Sequence, residues 1–123
     1  MNGNNFIADT NICLYLLSGN KIIEEITHGS NLYISFITQL ELLGYKDISA
    51  AEQQRIKVFI DDCLIVDINE EIKNNTIAIR QKHKIKLPDA IIAASSIFLD
   101  IPLLTADKGF SKISKLNLAL YEE

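Results

Sequence analysis

Four acidic residues could do chemistry together, because each lies among apolar neighbours and not in polar company. They are Asp9 in FIAD, Glu41 in LELL, Asp89 in LPDAII and Asp107 in LLTAD. No lysine or arginine lies within these stretches to neutralise them. Two carboxylates about 4 Å apart repel by about 4 kcal/mol at an effective dielectric of about 20, so a cluster of them must take up protons or bind a cation.

The residue types favour a hard divalent cation. Carboxylate oxygens and water suit Mg²⁺ or Mn²⁺, whereas Zn²⁺ is expected to recruit His or Cys, and both histidines lie elsewhere in the sequence. A magnesium site built from acids mostly serves phosphoryl chemistry, because the ion activates a water and offsets charge on the phosphate. Thr10 and Thr105 could orient carboxylates or waters through their hydroxyl groups.

Each of these residues also has a structural interpretation. Asp9 and Asp107 could be helix N-caps, and Asp89 suits the positive end of a helix dipole. The segment Thr38-Gln39-Leu40-Glu41 matches a capping box, and Thr10 could simply start a helix. The apolar flanks favour a joint role, because surface acids elsewhere in the chain have polar neighbours.

Short apolar segments alternate with helical patterns along the chain. The predicted strands are residues 6–8, 32–36, 64–66, 103–104 and 118–121. The predicted helices cover residues 12–17, 21–27, 37–45, 49–60, 70–84 and 89–99, with a short helix over 110–113. This alternation predicts an α/β domain of three layers, with a five-stranded, mainly parallel sheet and helices on both faces.

The predicted sheet gives the acids a common location. In open parallel sheets ligands bind beyond the carboxyl ends of the strands, where the strand order reverses. Asp9 and Asp107 follow strands, whereas Glu41 and Asp89 are expected to begin helices that could reach the same crevice. Helix N-termini at Thr10, Thr38 and Asp107 would add backbone N–H donors for substrate phosphates.

Length and composition limit the remaining possibilities. A chain of 123 residues with 48% hydrophobic residues predicts one domain over residues 1–123 that needs no disulfide or metal to fold. Cys13 and Cys63 lack CxxC spacing and are expected to be reduced and buried. The sequence has no signal-peptide pattern and no long apolar run, so we expect a cytoplasmic protein without a membrane segment.

Charge is unevenly distributed along the chain. The net charge of −4 argues against a surface that coats nucleic acid broadly. Two basic clusters nevertheless flank the later acids: Arg80, Lys82, His83, Lys84 and Lys86 precede Asp89, and Lys108, Lys112 and Lys115 follow Asp107. They are either solvated helix faces or a local groove for an RNA backbone.

Together these motifs resemble the PIN-domain family and, within it, the VapC-like toxins. The resemblance rests on Asp9-Thr10-Asn11 after a strand, Glu41 in ISFITQLELL, LPDAIIAA around Asp89, and TADKGF from Thr105 to Phe110. It covers nearly the whole chain in length and motif order. One departure is Gly109, which stands where many family members carry a further acid, so a single metal is the safer expectation.

The resemblance implies a magnesium-dependent endoribonuclease, the toxin of a type II toxin–antitoxin pair. We therefore expect Asp9, Asp89 and Asp107 to hold Mg²⁺, with Mn²⁺ as the alternative, and Glu41 to position or deprotonate the attacking water. The expected partners are an RNA substrate, an antitoxin that blocks the acidic groove with a cationic side chain or a steric plug, and a second copy of the chain in a homodimer.

Two other functions fit parts of the sequence. A receiver-type phosphoacceptor regulator has a similar α/β size and an acidic Mg²⁺ pocket, but it needs paired acids after the first strand and an acceptor in the position of Asp67. A catalytically silent PIN-like binding module would keep the fold and the acids without the chemistry. No Ser/His/Asp arrangement or Gly-rich phosphate loop is present.

Overall fold

The computed structural model describes residues 4–122, in which five short strands alternate with helices. The strands are β1 (Asn5–Ala8), β2 (Asn31–Ser35), β3 (Leu64–Val66), β4 (Leu103–Thr105) and β5 (Leu118–Leu120). The helices are α1 (Thr10–Leu17), α2 (Lys21–Thr27), α3 (Phe36–Leu43), α4 (Ala50–Asp61), α5 (Glu70–Lys82) and α6 (Leu87–Leu99), and a 3-10 helix (Lys108–Lys112) precedes β5. The predicted fold class, an α/β fold with a five-stranded parallel sheet, is confirmed.

The strands form one parallel sheet in the order β3-β2-β1-β4-β5. Ile7 of the central strand pairs with Tyr33 of β2 on one side and with Leu103 of β4 on the other. The first three strands therefore proceed toward one edge, and the last two proceed toward the opposite edge. The order reverses between β1 and β4, which is where a ligand crevice is expected in such sheets.

Successive side chains along a strand point to opposite faces of the sheet, so they contribute to two separate hydrophobic cores. Ile7 and Leu103 pack on the face covered by α5 and α6, whereas Ala8 and Leu104 pack on the face covered by α1, α2 and α4. The adjacent strands β1 and β4 are thus buried on both sides at Ile7, Ala8, Leu103 and Leu104, which explains the apolar sequence there, whereas Leu64 and Ile65 of the edge strand β3 are exposed. Fully burying one such aliphatic side chain stabilises the fold by roughly 1.5–3 kcal/mol.

Helix α6 is the most deeply buried helix, as its apolar sequence predicts. Every residue from Ala90 to Ser96 is buried, and small side chains on this stretch allow the helix to lie close to the sheet. Pro88 occupies the first turn, where its missing N–H costs no helical hydrogen bond. The helix ends at Asp100, which adopts a left-handed conformation with φ of 55°. This rigid setting fixes Asp89 in the first turn.

Helix α3 begins earlier than predicted. Ser35 is its N-cap, because the extended backbone of Ser35 lets its Oγ accept a hydrogen bond from the Ile37 N–H at 3.1 Å. The predicted capping box from Thr38 to Glu41 was therefore wrong, and Glu41 lies in the second turn and does not begin the helix. Helix α5 also ends two residues before its predicted end, because His83 adopts an extended backbone.

The cysteines and helix lengths bear on two further expectations. Both cysteines are free thiols; Cys13 is buried, as predicted, whereas Cys63 is only half-buried. Burial raises the pKa of the Cys63 thiol to about 12, so this thiol is protonated and unreactive at neutral pH.

Over residues 4–122, no helix has the length and apolar character needed to cross a bilayer.

Candidate active site

Asp9 directly follows β1 and is buried, with 5% of its surface exposed. One carboxylate oxygen caps α1 by accepting a hydrogen bond from the Ile12 N–H at 2.9 Å. The other oxygen accepts a hydrogen bond from the hydroxyl of Thr105, a fully buried residue at the end of β4 that is 96 positions away in sequence. The pairing of β1 with β4 therefore positions this carboxylate at the switch point of the sheet.

Asp107 is exposed, and the same threonine connects it to the sheet. Its N–H donates to Thr105 Oγ1 at 3.0 Å, and its own Oδ1 accepts a hydrogen bond from the Gly109 N–H at 2.8 Å. A Cβ atom at position 109 would lie 3.0 Å from that oxygen, closer than side chains normally approach. The glycine thus lets the backbone approach the Asp107 carboxylate.

Glu41 approaches from the opposite side of Asp9, on α3. Thr10, the first residue of α1, donates a hydrogen bond from its hydroxyl to Glu41 Oε1 at 2.7 Å. The same hydroxyl lies 3.1 Å from the hydroxyl of Thr38, which is buried inside α3. The hydrogen bonds from Thr38 to Thr10 and from Thr10 to Glu41 therefore fix the exposed Glu41 carboxylate relative to the start of α1.

Asp89 differs from the other three acids. It lies half-buried in the first turn of α6, and its carboxylate accepts no hydrogen bond from the residues that the structure describes. Its position depends on the packing of α6 alone. The carboxylate is consequently free to take an external ligand.

All four predicted acids line one open pocket of about 330 Å³, which we call the acid pocket. Its lining residues are Asp9, Thr10, Asn11, Glu41, Tyr45, Lys86, Pro88, Asp89 and Asp107. Thr105 is not part of this lining and lies beneath it, in contact with Asp9. Sequence reasoning missed Asn11 and Tyr45 as site residues. Asn11 could have been found because it follows Asp9-Thr10, and Tyr45 because it lies four residues after Glu41.

The acids affect one another electrostatically. Burial raises the pKa of Asp9 above its usual value, although the hydrogen bonds from Thr105 and from the Ile12 N–H act in the opposite direction. The pKa of Asp89 is also raised, first by burial and then by the charges of Asp107, Asp9 and Glu41, while Lys86 partly offsets this. The carboxylates are thus close enough to repel.

The donor chemistry of the acid pocket suits a hard divalent cation. Within residues 4–122, the ion pairs join Lys21 to Glu24, Arg55 to Glu52 and Lys73 to Glu70, so no basic side chain pairs with the four acids. In the same range no three His, Cys, Asp or Glu residues lie close enough to coordinate one ion directly. Such a geometry fits a cation held by one or two carboxylates with water as its remaining ligands, which is the usual coordination of Mg²⁺.

Three helix starts were predicted to offer backbone N–H donors to substrate phosphates, and at two of them an acid accepts a hydrogen bond from one of these donors. The Ile12 N–H at the start of α1 bonds Asp9, and the Gly109 N–H bonds Asp107. Thr38 lies within α3 and not at its N-terminus. The expectation was therefore wrong for Thr38, which does not start a helix. For the helix starts at Thr10 and Asp107 it stays a prediction, with one N–H of each already bonded to an acid.

Both the sequence and the fold are similar to those of known proteins. The sequence profile of the PIN domain matches residues 6–116. A toxin–antitoxin complex from Klebsiella pneumoniae contains a chain that is 30% identical, with a TM-score of 0.81 over 95% of this chain and 98% of that one. A chain in the DNA-bound VapBC2 complex from Rickettsia felis is 20% identical, with a TM-score of 0.84 over 96% and 99% of the two chains.

A third similar structure is VapBC-1 from nontypeable Haemophilus influenzae, at 24% identity and a TM-score of 0.77 over 94% of this chain and 97% of that one. A search of curated protein sequences gives no significant match. The alignments span nearly the full length of both partners, so the likeness concerns the whole fold and not a local motif.

Proposed function

The chain belongs to the PIN domain family, and from that membership we propose that it is a metal-dependent endoribonuclease, the toxin of a toxin–antitoxin pair. One observation carries the proposal: acids from four separate chain segments line a single pocket at the switch point of the sheet, without paired cations among the described residues. Such a concentration of uncompensated charge lowers stability unless a cation binds it. A binding role for the acids explains why the fold keeps them together.

In this proposal Asp9, Asp89 and Asp107 hold Mg²⁺, one or two of them directly and the rest through water ligands, and Mn²⁺ is an alternative. The bound ion would supply an activated water and positive charge beside the phosphate. Glu41 would position the attacking water or take up its proton, and the Thr10 hydroxyl orients Glu41 Oε1 at the acid pocket. Thr105 orients the Asp9 carboxylate from below. Because the donors are oxygen atoms only, zinc is the less suitable metal.

The receiver-type alternative is not supported. Its acceptor would be Asp67, after β3, but β3 is an edge strand separated from β1 by β2. Asp67 does not line the acid pocket, and its Oδ1 accepts a hydrogen bond from the neighbouring Ile68 N–H at 2.9 Å. A phosphoryl group at that position would lie away from the metal-binding acids. The silent binding module differs from the nuclease only in activity, and an experiment distinguishes them.

The proposed partners follow from the similar structures, which are toxin–antitoxin complexes. We expect an antitoxin to place a cationic side chain or a steric plug over the acid pocket, because positive charge there would offset the repulsion among the acids. A complex that leaves the pocket fully open would contradict this expectation. The homodimer and the cytoplasmic location stay predictions from the sequence.

The test is cleavage of structured RNA in Mg²⁺ by the wild-type chain, Asp9→Asn and Asp89→Asn. Each substitution keeps the shape of the side chain but removes a charged ligand, so we expect cleavage to fall by about 100-fold or more. EDTA should abolish cleavage by the wild type. The exposed Asp61→Asn, outside the pocket, is the control and should cleave normally.

Three outcomes of this test differ in meaning. Cleavage lost only in the pocket variants supports the nuclease. Equal cleavage by every protein indicates a contaminating enzyme, and the absence of any cleavage with intact folding favours the silent binding module. Circular dichroism of each variant verifies the fold.

A further inference from the structure

The two basic clusters of the sequence, 80–86 and 108–115, come together in the fold. Lys84, Lys86 and Lys112 line a pocket of about 210 Å³ that also contains Asp89 and Asp107, so it borders the acid pocket; we call it the basic pocket. The Lys112 ammonium donates a hydrogen bond to the Lys84 carbonyl oxygen at 2.6 Å. This contact joins the segment before α6 to the 3-10 helix and holds one ammonium group at the rim of the basic pocket.

The positive charge continues beyond this pocket. Lys82, His83 and Lys115 line a further pocket of about 140 Å³ along the same two chain segments, with Ile79 and Ile97 among its apolar residues. Residues 82–86 and 112–115 thus form a basic band that extends over two pockets, and only the first of these pockets contains the carboxylates of Asp89 and Asp107. We define the basic band as Lys82, His83, Lys84, Lys86, Lys112 and Lys115.

The lysines of the band are not counter-ions of the neighbouring acids. Over residues 4–122, none of them forms an ion pair, although Lys86 is close enough to lower the pKa of Asp89. Unpaired lysines along two neighbouring pockets remain available for an external anion. A chain of phosphates is the ligand whose repeated charges match a band of separate ammonium groups.

The band lies on only one side of the acids. On the other side, the acid pocket is lined by Asn11, Glu41 and Tyr45, and Lys86 at the boundary is its only cation among the described residues. We propose that the protein binds single-stranded RNA asymmetrically, with the phosphates on one side of the cleaved bond held along the basic band. This inference rests on the proposed function for the position of the cleaved bond.

The first experiment measures binding and does not require cleavage. Labelled single-stranded polyuridylate is titrated with protein in EDTA at several salt concentrations. The variants are Lys84→Gln, Lys112→Gln and Lys115→Gln, each of which removes one exposed charge. Each lost phosphate contact should reduce the slope of log affinity against log salt by about 0.7. Lys57→Gln on α4 removes the same charge away from the band and should leave the slope unchanged.

The second experiment tests the asymmetry. Once the cleaved bond of an RNA has been mapped, substrates are shortened from its 5′ side or from its 3′ side. Shortening the RNA on the side held by the basic band should raise KM, and wild type and Lys112→Gln should then have the same KM. Shortening the RNA on the other side should leave the KM of wild type, and its difference from that of Lys112→Gln, unchanged. Lys84→Gln and Lys115→Gln provide the same comparison without disturbing the Lys112 side chain.

The results separate this inference from the proposed function. Unchanged salt slopes, or no binding by the wild type, overturn the basic band even if Asp89→Asn abolishes cleavage. Reduced slopes without any cleavage support the band and overturn the nuclease. Equal effects of shortening on both sides overturn the asymmetry.

Discussion

Two carboxylates in the acid pocket each accept a hydrogen bond from a threonine hydroxyl, yet the two pairs differ in their surroundings. Asp9 and Thr105 are both buried, and Thr105 also accepts a hydrogen bond from the Asp107 N–H. Glu41 is exposed, and the half-buried Thr10 bonds it at the edge of the acid pocket. The first pair is part of the framework that joins β1 to β4, whereas the second orients a carboxylate at the exposed edge of the acid pocket.

If this comparison is correct, Thr105→Val should give the largest loss of stability. The substitution conserves shape but leaves an Asp9 oxygen and the Asp107 N–H without their partner, which should cost about 1–3 kcal/mol in the free energy of unfolding. Urea denaturation measures it. Thr76→Val is the matched control, because that buried hydroxyl bonds only the Ile72 carbonyl of its own helix, so its loss should cost less.

Thr10→Val should show the opposite profile. Without the hydroxyl, Glu41 loses its fixed orientation, so we expect RNA cleavage to fall about tenfold, which corresponds to 1.4 kcal/mol in the activation barrier. Stability should change by about 1 kcal/mol or less, because water can replace the exposed contact. Thr10→Ser keeps the hydroxyl and should retain most of the activity. A Thr10→Val variant that cleaves normally would remove Thr10 from the site.

Asp89 offers a test by pH, because it has no hydrogen bond to offset its burial. Its folded-state carboxyl has a pKa raised above the usual 3.8 by burial and by the neighbouring acids. Asp89 therefore supports the fold below pH 3.8, and this contribution is lost as the pH rises through the raised pKa. In the absence of metal, Asp89→Asn should gain stability relative to wild type from acidic to neutral pH. Thermal denaturation across this range measures the difference, and a constant difference would contradict it.

The smallest effect is expected at Gly109. Its φ is not positive, so Gly109→Ala acts only through the Cβ atom, which would lie 3.0 Å from Asp107 Oδ1 and push that exposed carboxylate by a few tenths of an ångström. We expect cleavage to fall less than about tenfold, under 1.4 kcal/mol in the barrier, with stability nearly unchanged. Ser111→Ala in the same 3-10 helix is the control. A larger loss would mean that Asp107 is as firmly held as Asp9.

The sequence was sufficient to predict the strands and the convergence of the acids. Strand sequences are apolar on both faces, and Asp9 and Asp107 directly follow two of them, so the general rule for parallel sheets located the pocket. The capping of α3 was misjudged because Ser35 and Thr38 are both good N-cap residues, and only the backbone geometry selects Ser35. The membership of the PIN-domain family, predicted from the motifs, is confirmed.

Contacts between distant residues could not be predicted from one sequence. Thr10 meets Glu41 and Thr38 only when α1 packs beside α3, and Lys112 reaches Lys84 only when the 3-10 helix lies against the start of α6. The residue types indicated that these hydroxyl and ammonium groups could donate hydrogen bonds, but they did not indicate which residues would accept them. The roles of the four acids in metal binding and catalysis stay predictions.

The pairing of β1 with β4 also has a consequence for protein synthesis. Asp9 emerges from the ribosome before β4, the strand that completes its surroundings and ends at Thr105, 96 positions later. Because chains are made from the N-terminus at about 5–20 residues per second, the surroundings of Asp9 stay incomplete for roughly 5–20 seconds after Asp9 has been added. Any activity of the acid pocket is therefore absent while β4 is still being synthesised or lies within the ribosome.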